Sequence, residues 1–138
     1  QVYEYIDSYK MGESVVLAGL LNQENLSRAY ADASIVCLFS LQENMPIVIA
    51  QAMAAGKPVV ASSVGGIPDL VVNGETGFLV DVGDEKNFAK RIIELLSDSL
   101  LRRRMGERGR EIANELFRKE IVARKTLEVY RVAIQQES

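Results

Sequence analysis

The chain has no histidine and only one cysteine in its 138 residues. The lack of histidine excludes imidazole general-base chemistry. With a single thiol as well, the usual zinc ligand sets cannot be assembled. A disulfide framework is excluded too, which fits a cytoplasmic setting. Cys37 lies in the apolar run Ile35-Val36-Cys37-Leu38-Phe39. A buried structural thiol is expected there, because a nucleophilic cysteine needs an electropositive, partly exposed setting. Positive charge is also short. Lys and Arg total 16 against 19 Asp and Glu, a net charge of −3, so no broad electrostatic grip on nucleic acid is expected. No apolar run reaches the ~18 residues that suggest a membrane span. No secretory or other targeting pattern opens the chain.

What remains is ordinary globular composition, 48% hydrophobic and 25% charged, in a length that suits one domain. Residues 2–10 read as the end of a helix. Val15-Val16-Leu17-Ala18 reads as a short apolar strand. Asn22 is placed to cap a helix over 23–31, which packs through Leu26, Ala29 and Tyr30. Residues 35–39 are apolar throughout, as in the centre of a parallel sheet. A helix over 47–55 is closed by Gly56, and a strand follows over 58–61. Gly65-Gly66-Ile67-Pro68 breaks the chain before a short helix. Asn73-Gly74-Glu75-Thr76-Gly77 is a turn signal ahead of a last strand over 78–80. From Asp84 the pattern becomes three amphipathic helices. Their stripes are Phe88, Ile92 and Leu95; then Leu101, Met105, Gly109, Ile112 and Leu116; then Ala123, Leu127, Tyr130 and Ile134. Alternating strands and helices predict an α/β fold, a Rossmann-like doubly wound parallel sheet with a C-terminal helical tail.

The densest chemistry lies between Glu43 and Gln51. Ligands of open α/β sheets bind beyond the carboxyl ends of the strands, and the loop 40–45 lies beyond such an end. Pro46 suits the first helical position, so the N–H groups of Ile47, Val48 and Ile49 are expected unpaired at the helix start. Together with about half a positive charge from the helix dipole, they suit a phosphate. Gln51 is the single polar residue of that helix. A helix apolar all round is expected to be buried. A buried amide without a partner costs about 1–3 kcal/mol, so Gln51 is expected to have one. It either faces the phosphate end or bonds to neighbouring backbone. Glu43 is a ligand contact, a solvated acid or a helix cap. Gly65-Gly66 either brings backbone close to a ligand or only turns the chain.

The run Glu43-Asn44-Met45-Pro46 to Gln51-Ala52-Met53-Ala54-Ala55-Gly56-Lys57-Pro58-Val59-Val60-Ala61 resembles the signature of glycosyltransferase family 4, also called group 1, a set of retaining GT-B enzymes. The likeness continues through Gly65-Gly66-Ile67-Pro68-Asp69, Asn73-Gly74-Glu75-Thr76-Gly77-Phe78-Leu79-Val80, and the later helix with Met105, Gly109 and Arg110. Upstream it includes Val15-Val16-Leu17-Ala18-Gly19. The resemblance implies sugar transfer with retention from a nucleotide donor, such as a UDP- or GDP-sugar, to a saccharide or lipid-linked acceptor. Polysaccharide, lipopolysaccharide or glycolipid assembly is the implied setting. It makes Glu43 the catalytic-site contact to donor-sugar hydroxyls. Asn44, Met45, Ile47 and Val48 would hold sugar and diphosphate through their backbone, and Leu20 and Leu21 would lie near the base. Gln51 stands where the family has an acid that binds the ribose hydroxyls. No metal or cofactor is implied, and no Asp-x-Asp metal motif is present. Catalysis would rest on stabilising the departing nucleoside diphosphate.

The sequence departs from the family twice. An amide replaces the ribose-binding acid. The Gly-Arg…Lys pair that grips the diphosphate has no counterpart before Val15, where Lys10 is the only basic residue. The two strand-helix units that carry that pair in the family would place their strands between the 15–18 and 35–39 strands. The expected organisation is thus a single partial donor-binding domain over 1–138, with strand-helix units over 1–80 and helices over 84–136. It would work with an N-terminal domain absent from this sequence. The stripe over 123–134 is expected to be partly uncovered, which favours self-association. Arg102-Arg103-Arg104, Arg108 and Arg110 are expected on a solvated helix face, with peripheral contact to the inner face of the membrane left open. A non-catalytic nucleotide- or partner-binding module is the alternative reading. A GT-B sugar-nucleotide epimerase fits the motif poorly.

Overall fold

A computed structural model describes residues 2–136; of the span 1–138, residues 1, 137 and 138 lie outside the described set. Three parallel strands form the sheet in the order β1-β2-β3: β1 (Val36–Leu38), β2 (Val59–Ser62) and β3 (Gly77–Val80). Val36 pairs with Val59 and Leu38 with Ala61, while Val59 pairs with Gly77 and Ser62 with Val80. The crossovers are α3 (Ile47–Ala54) and the single turn α4 (Ile67–Leu70). Two helices precede the sheet, α1 (Val2–Ser8) and α2 (Gln23–Asp32). Three follow it, α5 (Glu85–Ser97), α6 (Ser99–Leu116) and α7 (Lys119–Gln136).

Alternation along β2 divides the core. Val59 and Ala61 point to one face, where Ile49, Ala52 and Met53 of α3 and Ile67 and Leu70 of α4 cover them. Val60 points to the other, where it joins Phe78, Val80, Leu95 and Met105. All four β2 residues are buried, as expected of a central parallel strand. Helix α6 serves both clusters, with Met105 and Leu101 in the second and Ala113 and Ile112 in the first, where Phe117 just past its end joins them. It lies so close to the end of α3 that a Cβ on Gly106 would sit 2.0 Å from the Gly56 carbonyl oxygen.

Distant cations cap three helix C-termini. Lys57 Nζ donates to the Ala31 carbonyl of α2 (2.7 Å), and Arg110 Nη2 to the Ala55 carbonyl at the end of α3 (3.0 Å). Arg102 Nη1 donates to the Leu95 and Leu96 carbonyls of α5, both at 2.6 Å. Cations here satisfy last-turn carbonyls and oppose the dipole. The expected solvated basic face is corrected only at Arg102, which is half-buried; Arg103, Arg104, Arg108 and Arg110 are exposed as expected. Arg102 and Arg110 also act as fasteners, and Arg108 pairs with Glu75 and Glu111. Arg110→Met is expected to lower stability by about 0.5–1 kcal/mol, read from the urea midpoint. An unchanged midpoint would show that the cap contributes nothing.

Three further expectations are corrected. Val15-Val16-Leu17-Ala18 forms no strand; β1 pairs only with β2, so the segment has no ladder to join, and Val16 is 87% exposed. Cys37 is exposed rather than buried, because β1 is an edge strand with little cover on that face. Partial desolvation still pushes its thiol pKa up, which disfavours the thiolate. Helix α3 is not buried all round. Ile49, Ala52 and Met53 face the core, while Ile47, Val48 and Gln51 face outward and are exposed. The α7 stripe is exposed as expected at Leu127 and Tyr130.

Candidate active site

Beyond the carboxyl end of β1 the chain runs through Ser40 and Leu41 into the Glu43 loop. Ser40 Oγ donates to Glu43 Oε1 at 2.8 Å and fixes one carboxylate oxygen. The same loop is held from the end of β2. Gly66 N–H donates to the Asn44 carbonyl at 2.8 Å. A Cβ on Gly65 would sit 1.6 Å from the Glu43 carbonyl oxygen, and one on Gly66 would sit 2.0 Å from that of Asn44. The two glycines therefore do more than turn the chain. They allow two strand-end loops to meet backbone to backbone, and the contact orients Glu43.

Gln42, Glu43, Asn44 and Met45 line an open, polar pocket of ≈ 440 Å³. Directly beyond it, α3 starts at Pro46 with no side-chain cap. Ile49 N–H donates to the Pro46 carbonyl at 3.1 Å, so of the three expected free donors only Ile47 and Val48 keep theirs without an acceptor among the described residues. Both residues are exposed. Gln51 follows one turn later on the outer face. It is exposed where burial was expected, yet it has the expected partner: Tyr30 Oη of α2 donates to Gln51 Oε1 at 3.1 Å. Gln23, Leu26, Ser27, Tyr30, Gln51 and Ala54 line most of a groove of ≈ 270 Å³ between α2 and α3.

Glu43, Asn44 and Met45 thus share one pocket, with Ile47, Val48 and Gln51 in line along α3. Leu20 and Leu21 are not gathered into it. Leu20 is fully exposed and Leu21 half-buried, just ahead of Asn22, whose side chain caps α2 by accepting from Asn25 N–H. Sequence reading missed Ser40, Tyr30 and the role of Gly65-Gly66. The three-residue spacing of Ser40 and Glu43 was a usable signal; the Tyr30–Gln51 pair, 21 residues apart, left none. No group of three or more His, Cys, Asp or Glu side chains able to hold a metal occurs among the described residues. No described helix is long and apolar enough to cross a membrane.

Residues 1–112 match the family model of Glycosyl transferases group 1. The chain belongs to that family. It is 34% identical over 129 residues to N-acetyl-alpha-D-glucosaminyl L-malate synthase of Bacillus anthracis, covering 94% of this chain and 33% of that relative. Its fold superposes on sucrose-phosphate synthase from Thermosynechococcus elongatus with a TM-score of 0.90 at 32% identity, covering 98% of this chain and 34% of that one. It also superposes on the Anabaena protein HepE in complex with UDP, with a TM-score of 0.89 at 25% identity over 95% of this chain and 36% of the other. The chain therefore spans about a third of the length of these relatives. Its three-stranded parallel sheet with C-terminal helices is that of a GT-B C-terminal domain.

Proposed function

We propose that this group 1 domain holds the nucleotide-sugar donor of a retaining glycosyl transfer to a saccharide or lipid-linked acceptor. The observation that carries this reading is the uncapped start of α3 beside a Glu43 carboxylate fixed by Ser40 and by the Gly65-Gly66 contact. The free N–H groups of Ile47 and Val48 suit the diphosphate. The second carboxylate oxygen of Glu43 accepts from donor-sugar hydroxyls, the backbone of Asn44 and Met45 follows the sugar, and Gln51 faces the ribose. Leu20 and Leu21 take the base only if their segment moves toward the groove.

Bond breaking in this scheme needs no protein nucleophile. As the bond between the anomeric carbon and the diphosphate oxygen opens, the acceptor oxygen bonds to that carbon and its proton passes to the departing diphosphate, whose developing charge oriented amides at a helix start stabilise without reorganising. The acceptor would come from an N-terminal domain that also covers the exposed faces of α3 and α7. The same reading includes self-association through α7 and peripheral membrane contact. The test is turnover of UDP- and GDP-sugars by the natural full-length protein, with product anomeric configuration read by NMR. Inversion, or no turnover with any donor and acceptor pair, would overturn it.

A non-catalytic nucleotide-binding module is the second reading, favoured by the amide at Gln51. The two hydroxyls of a ribose can both donate to a carboxylate, whereas an amide has one acceptor oxygen. Because Tyr30 Oη already donates to Gln51 Oε1, the amide N–H groups are the ends left for the ribose, and Gln51→Glu is expected to give no gain or a loss in donor binding. Calorimetry with UDP- or GDP-sugar checks it, and a gain of about 1–2 kcal/mol would show that the site favours a charged acceptor there.

A further inference from the structure

We infer that Tyr30 is a positioning residue that fixes which end of the Gln51 amide meets the ligand, so that this protein presents N–H donors to the ribose oxygens. The inference rests on the reading that Gln51 faces the ribose. Tyr30 sits on α2 and Gln51 on α3, and the phenol hydroxyl donates to Oε1 at 3.1 Å. An amide has one oxygen and one NH2 group. With the oxygen engaged, Nε2 is the end of the amide left without a partner among the described residues. Gln51 lines the groove between the two helices, whose wall includes Gln23 and Ser27.

The hydroxyl is itself held in place. The Tyr30 ring is half-buried and packs against the core cluster that includes Ile49, Ala52 and Met53, which anchors the base of the side chain. The Lys57 ammonium ties the next residue of α2, Ala31, to the segment just after α3. The two helices are thus fastened near the Tyr30–Gln51 pair. Partial burial raises the Tyr30 pKa above its ordinary value, so the phenol remains a donor throughout the neutral range. A carboxylate at this position would accept from the ribose hydroxyls. The amide held by Tyr30 donates to them instead, and the polarity of the contact is reversed.

The test is a double-mutant cycle on the natural full-length protein. Calorimetry compares whichever of UDP and GDP binds better with its 2′,3′-dideoxy analogue. Tyr30→Phe removes only the hydroxyl and is expected to weaken the ribonucleotide by about 3–10-fold. It should leave the dideoxy analogue unchanged and have no effect in a Gln51→Ala background. Equal weakening of both ligands, the same factor with Gln51→Ala, or no weakening at all would overturn the inference. Gln51→Ala separates the two levels. If it removes the ribose preference while Tyr30→Phe does not, only the positioning role fails. If it leaves the ribose preference intact, the ribose reading fails and the inference with it.

Discussion

Gly65→Ala is expected to lower stability by about 2–5 kcal/mol and to dislodge the Glu43 loop. Two costs add. Gly65 has φ +56°, where a side chain costs about 1–2 kcal/mol. The new Cβ would also lie 1.6 Å from the Glu43 carbonyl oxygen and 2.7 Å from its carbon. That clash is with backbone, so no rotamer change relieves it, and overpacking of this kind costs about 1–3 kcal/mol. The chain can relieve it only by separating the two loops, which breaks the Gly66–Asn44 hydrogen bond and releases Glu43. The urea midpoint should fall, and affinity for a nucleotide sugar should fall with it, even under conditions where the variant is folded. A variant with near-native midpoint and affinity would show that the clamp does not hold the loop.

The second large effect is on turnover. Glu43→Gln is expected to lower kcat/KM by about 10- to 100-fold, the equivalent of losing one charged hydrogen bond of about 1.5–3 kcal/mol. The isosteric amide can keep the Ser40 contact, which holds Oε1 at 2.8 Å. What it loses is the charge and acceptor strength of the second oxygen, the one free to meet sugar hydroxyls. Affinity for the free nucleoside diphosphate, which carries no sugar, should change little. Equal loss for UDP and for UDP-sugar would place the contact on the nucleotide and contradict the sugar role.

The parts of the fold readable from sequence are those whose partners are also in the sequence. Helix α3, β2, α4 and β3 follow one another with short connections, and each packs on the next, so periodicity and glycine signals located them. Asn22 caps α2 as its position suggested; Asp84, read only as the point where the pattern changes, also caps α5. The segment at Val15 failed because a strand is defined by its neighbour, and apolar character alone does not supply one. Gln51 and Cys37 failed for a related reason. An apolar run suggests burial, but burial depends on what covers the run, and among the described residues the outer face of α3 and the β1 edge are only partly covered.

The site was readable as a location and less so as a mechanism of holding. Helix-start chemistry and the acid before it single out a loop that the fold gathers around one open pocket. The Ile49 N–H was assigned wrongly because Pro46 turned out to accept from it. Tyr30 and the glycine pair act through space, across separations that no periodic pattern records.

The most direct measurement is a crystal structure of the natural full-length protein with UDP or GDP, whichever binds more tightly. The expected result has diphosphate oxygens within hydrogen-bond reach of the Ile47 and Val48 amides, and the ribose hydroxyls against Gln51 Nε2 with the Tyr30 contact preserved. A nucleotide bound elsewhere, with the α3 start empty, would contradict the account.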